Sequence, residues 1–197
     1  MADELLTAAT ARPDFTPRRL MLFVTGSINA ALVPHWLTWL RHLYPDVVSS
    51  IVVTRSAERF VTLDALRAIT TGSVWRDSWD EELPGGSYMG LETEADAFGV
   101  FPATLDFAMR LASGFTNTPM LMTLQCTEKP IGIASTFPGT NPVIEAQLAL
   151  LRNRPNLRFV ETMPAFSLGK GAWAGSTGFH LPALLQTLQQ LVSERAS

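Results

Sequence analysis

The sequence predicts an α/β protein built on one doubly wound, parallel β-sheet. Short, largely apolar runs recur at Leu20–Val24, Val47–Val53 and Ala97–Phe101, the first of them apolar throughout. A strand apolar at every position is one buried on both faces, as parallel strands are. Each run passes through a small or hydroxylated turn into an amphipathic segment, the alternation that right-handed β-α-β crossovers require. No repeat or linker interrupts it, and 197 residues at 47% hydrophobic and 17% charged content suffice for one core.

Taken in order, residues 1–17 are polar and Pro-interrupted, so a loose tail is expected there and a single domain over 18–197. The first strand runs through Thr25-Gly26-Ser27 towards a helix. Pro34 is tolerated only in a first helical turn, so the regular helix is expected to begin near Val33. The second strand is followed by Thr54-Arg55-Ser56, with Ser56 as the expected N-cap of a helix over 57–68. Residues 70–90 lack sustained periodicity and read as a long irregular excursion, a kind of loop that often carries function. Trp75 and Trp79 within it suggest an interface or a lid. The third strand leads through Pro102-Ala103-Thr104 into a helix over 105–113 closed by Gly114. Further strands are expected at 120–124 and 131–134. A helix over 141–153 has Asn141 as cap and Pro142 at its first position. A last strand at 157–160, a Gly-rich stretch over 166–178 without regular structure, and a closing helix over 181–194 complete the chain.

Composition excludes several function classes. A formal charge of −3 without a dense Lys/Arg run argues against nucleic acid as the partner. One cysteine, Cys126, excludes an intrachain disulfide framework and a multi-cysteine metal knuckle, so no metal is expected; a lone cysteine in an apolar run reads as a small buried hydrophobe. The first residues lack the basic start and apolar core of a signal peptide, and no apolar run reaches membrane-spanning length. A cytoplasmic protein without a membrane partner is the expectation.

Ligands of parallel sheets bind at the carboxyl ends of the strands. The Thr-Gly-Ser, Thr-Arg-Ser and Pro-Ala-Thr segments all fall there. Gly26 permits a close backbone approach, and the hydroxyls of Thr25 and Ser27 beside a helix start suit an anion. An ordinary turn with a helix cap would use the same residues, and a single glycine is weaker than a full GxGxxG. The convergence of three such loops on one edge is what favours a phosphate- and ring-binding site.

Four segments together resemble a known family: Thr25-Gly-Ser-Ile-Asn29, Thr54-Arg-Ser-Ala57 followed by Phe60-Val61-Thr62, Ala95-Asp96 leading to Phe101-Pro-Ala-Thr-Leu-Asp106, and Pro142 to Pro155. Over residues 20–160 the chain resembles the homo-oligomeric flavin-containing cysteine decarboxylases, which include lantibiotic-type peptidyl-cysteine decarboxylases and phosphopantothenoylcysteine decarboxylase. The resemblance implies a Rossmann-like subunit, assembly as a trimer or dodecamer, FMN held between subunits, and a precursor peptide ending in cysteine as substrate. It implies Thr25, Gly26, Ser27, Ile28, Thr54 and Ser56 for the FMN phosphate and ribityl chain, and Pro102, Ala103, Thr104 and Asp106 for the ring edge. Tyr88, His35 and Asn141 are the implied catalytic candidates.

Three departures qualify the transfer. Tyr88 stands where the family has its catalytic histidine; a phenol can donate a hydrogen bond but is a weaker base at neutral pH than an imidazole. Asp106 replaces an asparagine. The family's Pro-x-Met-Asn carboxylate grip is absent, and Ser135-Thr-Phe-Pro-Gly-Thr-Asn141 occupies its place, leaving Asn141 or Ser135 for that task. These departures keep open a catalytically silent flavin-binding partner of a peptide-modification complex, beside phosphopantothenoylcysteine decarboxylation. His42 and His180 read as surface or helix-cap residues, and Trp36 with Trp39 as core or subunit contacts.

Overall fold

In the computed structural model, which describes residues 12–167 and 171–196, the apolar runs form one six-stranded sheet. Its strands are β1 (Arg19–Val24), β2 (Val48–Val53), β3 (Val74–Arg76), β4 (Ala97–Ala103), β5 (Ile131–Ser135) and β6 (Leu157–Phe159). All pairings are parallel and the order is β3-β2-β1-β4-β5-β6. That is the doubly wound arrangement, with its topological switch between β1 and β4. The uniform apolarity of β1 is explained by its alternation: Leu20, Leu22 and Val24 enter one core, Met21 and Phe23 the other.

The helices are α1 (Val33–Leu43), α2 (Leu63–Ile69), α3 (Tyr88–Thr93), α4 (Leu105–Ala112), α5 (Pro119–Cys126), α6 (Pro142–Arg152) and α7 (Leu181–Ala196). α1, α2 and α7 bury their apolar faces in the first core and α3 to α6 in the second. The Thr62, Thr104, Thr118 and Asn141 side chains each accept from a backbone N–H in the first turn of the helix they precede. Beyond α4, Gly114 lies at φ +77, its N–H donates to Leu111 and that of Phe115 to Arg110, so the expected glycine stop is a two-bond C-cap. α7 seats on paired glycines: Gly99 lies opposite Gly132, and a Cβ there would come within 2.7 Å and 2.3 Å of Leu184 methyl carbons.

Five local expectations are corrected. Ser56 makes no capping bond, and a 3-10 turn, Ala57–Arg59, precedes α2, which Thr62 caps instead. The excursion contains β3 and α3. β3 is a three-residue strand paired on one side only, too short to show a period. Residues 120–124 are helical, in α5; a short apolar run cannot be told from a buried helix by periodicity, and Thr118-Pro119 was the deciding cap signal. The Gly-rich stretch carries an antiparallel hairpin of β7 (Met163–Ser167) and β8 (Ala172–Thr177), separate from the main sheet. Cys126 ends α5 and is exposed.

The tail expectation is corrected over residues 12–17, while 1–11 lie outside the described residues. The Phe15 ring meets Tyr44 edge-on at 6.3 Å, the Tyr44 hydroxyl donates to the Pro13 carbonyl at 2.6 Å, and the Thr16 N–H donates to Gln189 Oε1 at 2.8 Å. Trp36 and Trp39 pack partly buried against the first core. Among the described residues, no helix is long and apolar enough to cross a membrane.

Candidate functional site

At the switch point the chain diverges to opposite faces of the sheet, leaving a crevice at the carboxyl ends of β1 and β4. Thr25, at the end of β1, is buried. Its hydroxyl donates to the Pro102 carbonyl at 2.7 Å and accepts from the Thr104 N–H at 2.9 Å, so it joins the first loop to the third. That commitment of its proton corrects the expectation that Thr25 donates to an anion; Thr25 is a strut beneath the site.

Gly26 brings the first loop against the second, since a Cβ at this position would lie 2.4 Å from Ser56 Oγ. The Thr54 N–H donates to the Val24 carbonyl at 3.0 Å, and the Thr54 and Ser56 hydroxyls are 3.1 Å apart. The fold therefore brings the three expected loops together. Ser27 Oγ accepts from the Asn29 N–H at 3.3 Å, which leaves its own proton to donate outward. The amides of Gly26 and Arg55 have no partner among the described residues. Loop amides and serine hydroxyls, brought together by a close approach that a side chain at Gly26 would block, form a donor set that fits a phosphate. Ile28 opens a 3-10 turn, Ile28–Leu32, before α1, so the turn and not a regular helix end faces the crevice.

In the third loop, Pro102 and Ala103 are buried, and Thr104 caps α4 by accepting from the Phe107 N–H. The Thr136 N–H and hydroxyl both donate to the Ala103 carbonyl, at 3.0 Å and 3.1 Å, which ties on the loop after β5. Asp106 extends into solvent from the first turn of α4, paired with Arg110 at 3.9 Å.

The three catalytic candidates lie on three different elements of the subunit. His35 is exposed in the first turn of α1, its ring 5.8 Å from that of Trp36. Tyr88 opens α3 half-buried, its carbonyl accepting from the Thr123 hydroxyl at 3.4 Å, and no hydrogen bond or ring contact among the described residues joins it to the three loops. Asn141 Oδ1 accepts from the Ile144 N–H at 3.0 Å to cap α6, leaving its amide NH2 available. Ser135 lines a cavity of about 240 Å3 with Phe137, Glu145, Arg152, Phe159 and Ser176. The available signal for this cavity was Glu145 and Arg152, which form an ion pair at 2.9 Å on one face of α6; Phe159 and Ser176 carried none.

Two other residues singled out in the sequence, His180 and Asp96, are architectural. Burial pushes the His180 imidazole below its ordinary range, favouring the neutral ring whose Nδ1 accepts from the Ala183 N–H as a cap of α7. Asp96 precedes β4 at the opposite, amino edge of the sheet. One oxygen accepts from the Arg18 and Arg19 N–H groups and the other from the Arg19 guanidinium. Burial raises its carboxyl, but these Arg19 and Arg18 bonds outweigh it and hold the group below the usual range.

Residues 9–177 match the family model described as Flavoprotein. Over 184 residues, 93% of this chain and 96% of the relative, the sequence is 41% identical to the cypemycin cysteine dehydrogenase (decarboxylating) of a Streptomyces species. The crystal structure of the cypemycin decarboxylase CypD superposes with a TM-score of 0.80 at 39% identity, over 95% of this chain and 100% of that one. The FMN-dependent cysteine decarboxylase SpaF superposes with a TM-score of 0.72 at 26% identity, over 88% and 97%. The coenzyme A biosynthesis bifunctional protein CoaBC of Mycobacterium bovis is 28% identical over 91% of this chain but only 42% of its own length. With three loops converging at the switch point of such a sheet and relatives of this kind along nearly its whole length, the chain belongs to the Flavoprotein family, in its branch of flavin-containing cysteine decarboxylases.

Proposed function

We propose that the protein binds FMN at the three-loop crevice and catalyses oxidative decarboxylation of the C-terminal cysteine of a ribosomally made precursor peptide, giving an aminoenethiol. The observation that carries this reading is the meeting of Gly26, Ser27, Thr54 and Ser56 at the switch point, in a chain 41% identical to a cysteine dehydrogenase (decarboxylating).

A cysteine α-carboxylate cannot leave as carbon dioxide unless the electron pair of the breaking C–C bond has somewhere to go. When bound, a flavin supplies the two-electron oxidation that removes a hydride equivalent from Cβ of the thiolate. The resulting thioaldehyde accepts the electron pair as carbon dioxide departs, and protonation gives the enethiol. The residues of this chain bind and orient. The amides of Gly26 and Arg55 with the hydroxyls of Ser27, Thr54 and Ser56 hold the phosphate and ribityl chain, and the Pro102-Ala103-Thr104 loop supports the ring edge. The Asn141 NH2, or the Ser135 hydroxyl, holds the substrate carboxylate.

Tyr88 serves as a hydrogen-bond donor from a neighbouring subunit, a reading supported by the lack of any hydrogen bond between it and the three loops within one chain. Homo-oligomerisation, as a trimer or dodecamer, is thus part of the proposal. Exposed apolar residues flank both halves of the site: Ile28 and Leu32 are 56% and 52% exposed beside the first loop, and Met89 is 62% exposed beside Tyr88.

The test is an anaerobic single turnover. A peptide ending in cysteine should bleach the oxidised-flavin absorption stoichiometrically, and a peptide ending in serine should not. Tyr88 in the place of a histidine favours the second reading, a flavin-binding partner without chemistry of its own; flavin that binds but is not bleached by any cysteine-ended peptide would select it.

A further inference from the structure

We propose that Asp77 and Trp79 are positioning residues that fix how their subunit presents Tyr88 to a neighbouring subunit's cofactor edge; the catalytic part of this inference rests on the proposed function. The segment between β3 and α3 is moored at both ends to a single helix, α5. At its start, Asp77 Oδ1 accepts from the Met120 N–H at 2.9 Å, and the Thr118 hydroxyl also bonds this carboxylate. At its end, the Tyr88 carbonyl accepts from the Thr123 hydroxyl. Residues 120 and 123 lie one turn apart on the same helix face, so α5 acts as a beam that both ends of the segment grip.

The mooring is also connected to the cofactor loops of its own subunit, so the segment that carries Tyr88 and those loops form one unit facing the neighbour. The Asp77 N–H donates to the Val53 carbonyl at 2.8 Å, immediately before Thr54 of the second loop. Trp79 Nε1 donates to the Asn117 carbonyl at 3.0 Å, and Asn117 Oδ1 accepts from Arg110 at 2.6 Å. Arg110 lies on α4, whose cap is Thr104 of the third loop and whose first turn carries Asp106, its ion-pair partner. Behind Tyr88 the chain has no slack: a Cβ at Gly90 would fall 1.5 Å from the Pro84 carbonyl oxygen. Burial raises the Asp77 carboxyl against the opposing pull of the Met120 N–H, the Thr118 hydroxyl and the Arg110 charge. A half-buried carboxylate kept in that environment is there to hold the helix start, and through it the segment.

The experiment compares Asp77→Ala, Asp77→Asn, Trp79→Phe, Tyr88→Phe and Asp77→Ala/Tyr88→Phe in the FMN-loaded protein. It measures amide exchange, FMN content, and kcat and KM on a peptide ending in cysteine. Asp77→Ala is expected to lose exchange protection at the Met120 amide and over 78–88, to lower kcat about tenfold or more with KM changed by less than about threefold, and to keep its FMN. Asp77→Asn retains the Oδ1 acceptor and should restore both protection and kcat. Trp79→Phe should fall between them, and adding Asp77→Ala to Tyr88→Phe should cost nothing further. Wild-type kcat in Asp77→Ala or in Tyr88→Phe, additive losses in the double variant, or loss of FMN along with kcat would each overturn the inference. If Asp77→Ala does not fold, an unchanged kcat in Trp79→Phe overturns it. A wild-type protein inactive on every cysteine-ended peptide would instead refute the proposed function, and the exchange measurements would still decide the mooring.

Discussion

A single methyl group at Gly26 would separate the first two loops. With Ser56 Oγ 2.4 Å from the position a Cβ would take, Gly26→Ala must push the Thr54–Ser56 loop away from the first. FMN affinity is expected to fall by about tenfold or more while the far-ultraviolet circular dichroism is unchanged, since the close approach of the two loops and not the fold is lost; fluorescence titration with FMN measures it. Asp96 provides the opposite case, a motif residue with a purely structural task. Its carboxyl is lower in the folded chain than unfolded, so its contribution is present above the unfolded value near pH ~4 and fades as pH falls through the folded one. Asp96→Ala should cost about 1–2 kcal/mol near neutrality, a modest figure because a third of the side chain is exposed, and the gap from wild type should close in denaturant melts on acidification. At this scale the sequence made the loops legible, because Gly26 and the hydroxyl residues are read from their types. It did not reveal that the Thr25 proton is spent on the Pro102 carbonyl, nor that Asp77 reaches Met120, since both depend on partners distant in sequence.

At the level of elements, what was readable followed from how many residues carried each signal. β1, α1 and α6 were long or well capped, and Asn141-Pro142 marked the start of α6 to the residue. β3 and α5 were not readable, one because three residues show no period, the other because Met120 to Leu124 are buried at almost every position and so look alike in either conformation. The hairpin after β6 was hidden by its glycines, which lower strand propensity without preventing antiparallel pairing. The docking of α7 makes a testable demand on two such glycines. Gly132→Ala places a Cβ 2.3 Å from a buried Leu184 methyl, and overpacking of this kind should destabilise by about 1–3 kcal/mol. Combined with Leu184→Ala, the cost should be clearly less than the sum of the two single changes, because the clash is then gone. Additive losses in urea melts would show that α7 rests elsewhere.

Among the described residues no hydrogen bond links Tyr88 to the cofactor loops of its own subunit, and the proposed chemistry therefore draws on more than one copy. Light scattering on the flavin-loaded protein is expected to give a trimer or a multiple of it, and substitution of exposed Ile28 and Leu32 by charged residues should shift it towards monomer with loss of activity. An active monomer would contradict assembly across the site. The reaction itself is tested most directly by the mass of the product. Removal of carbon dioxide together with two hydrogens lowers a peptide by about 46 mass units, whereas simple decarboxylation lowers it by about 44. Mass spectrometry of a peptide ending in cysteine, incubated with the FMN-loaded wild-type protein, should show the larger loss and none from the same peptide ending in serine. An unchanged mass across a panel of cysteine-ended peptides, or a loss of carbon dioxide alone, would contradict oxidative peptidyl-cysteine decarboxylation.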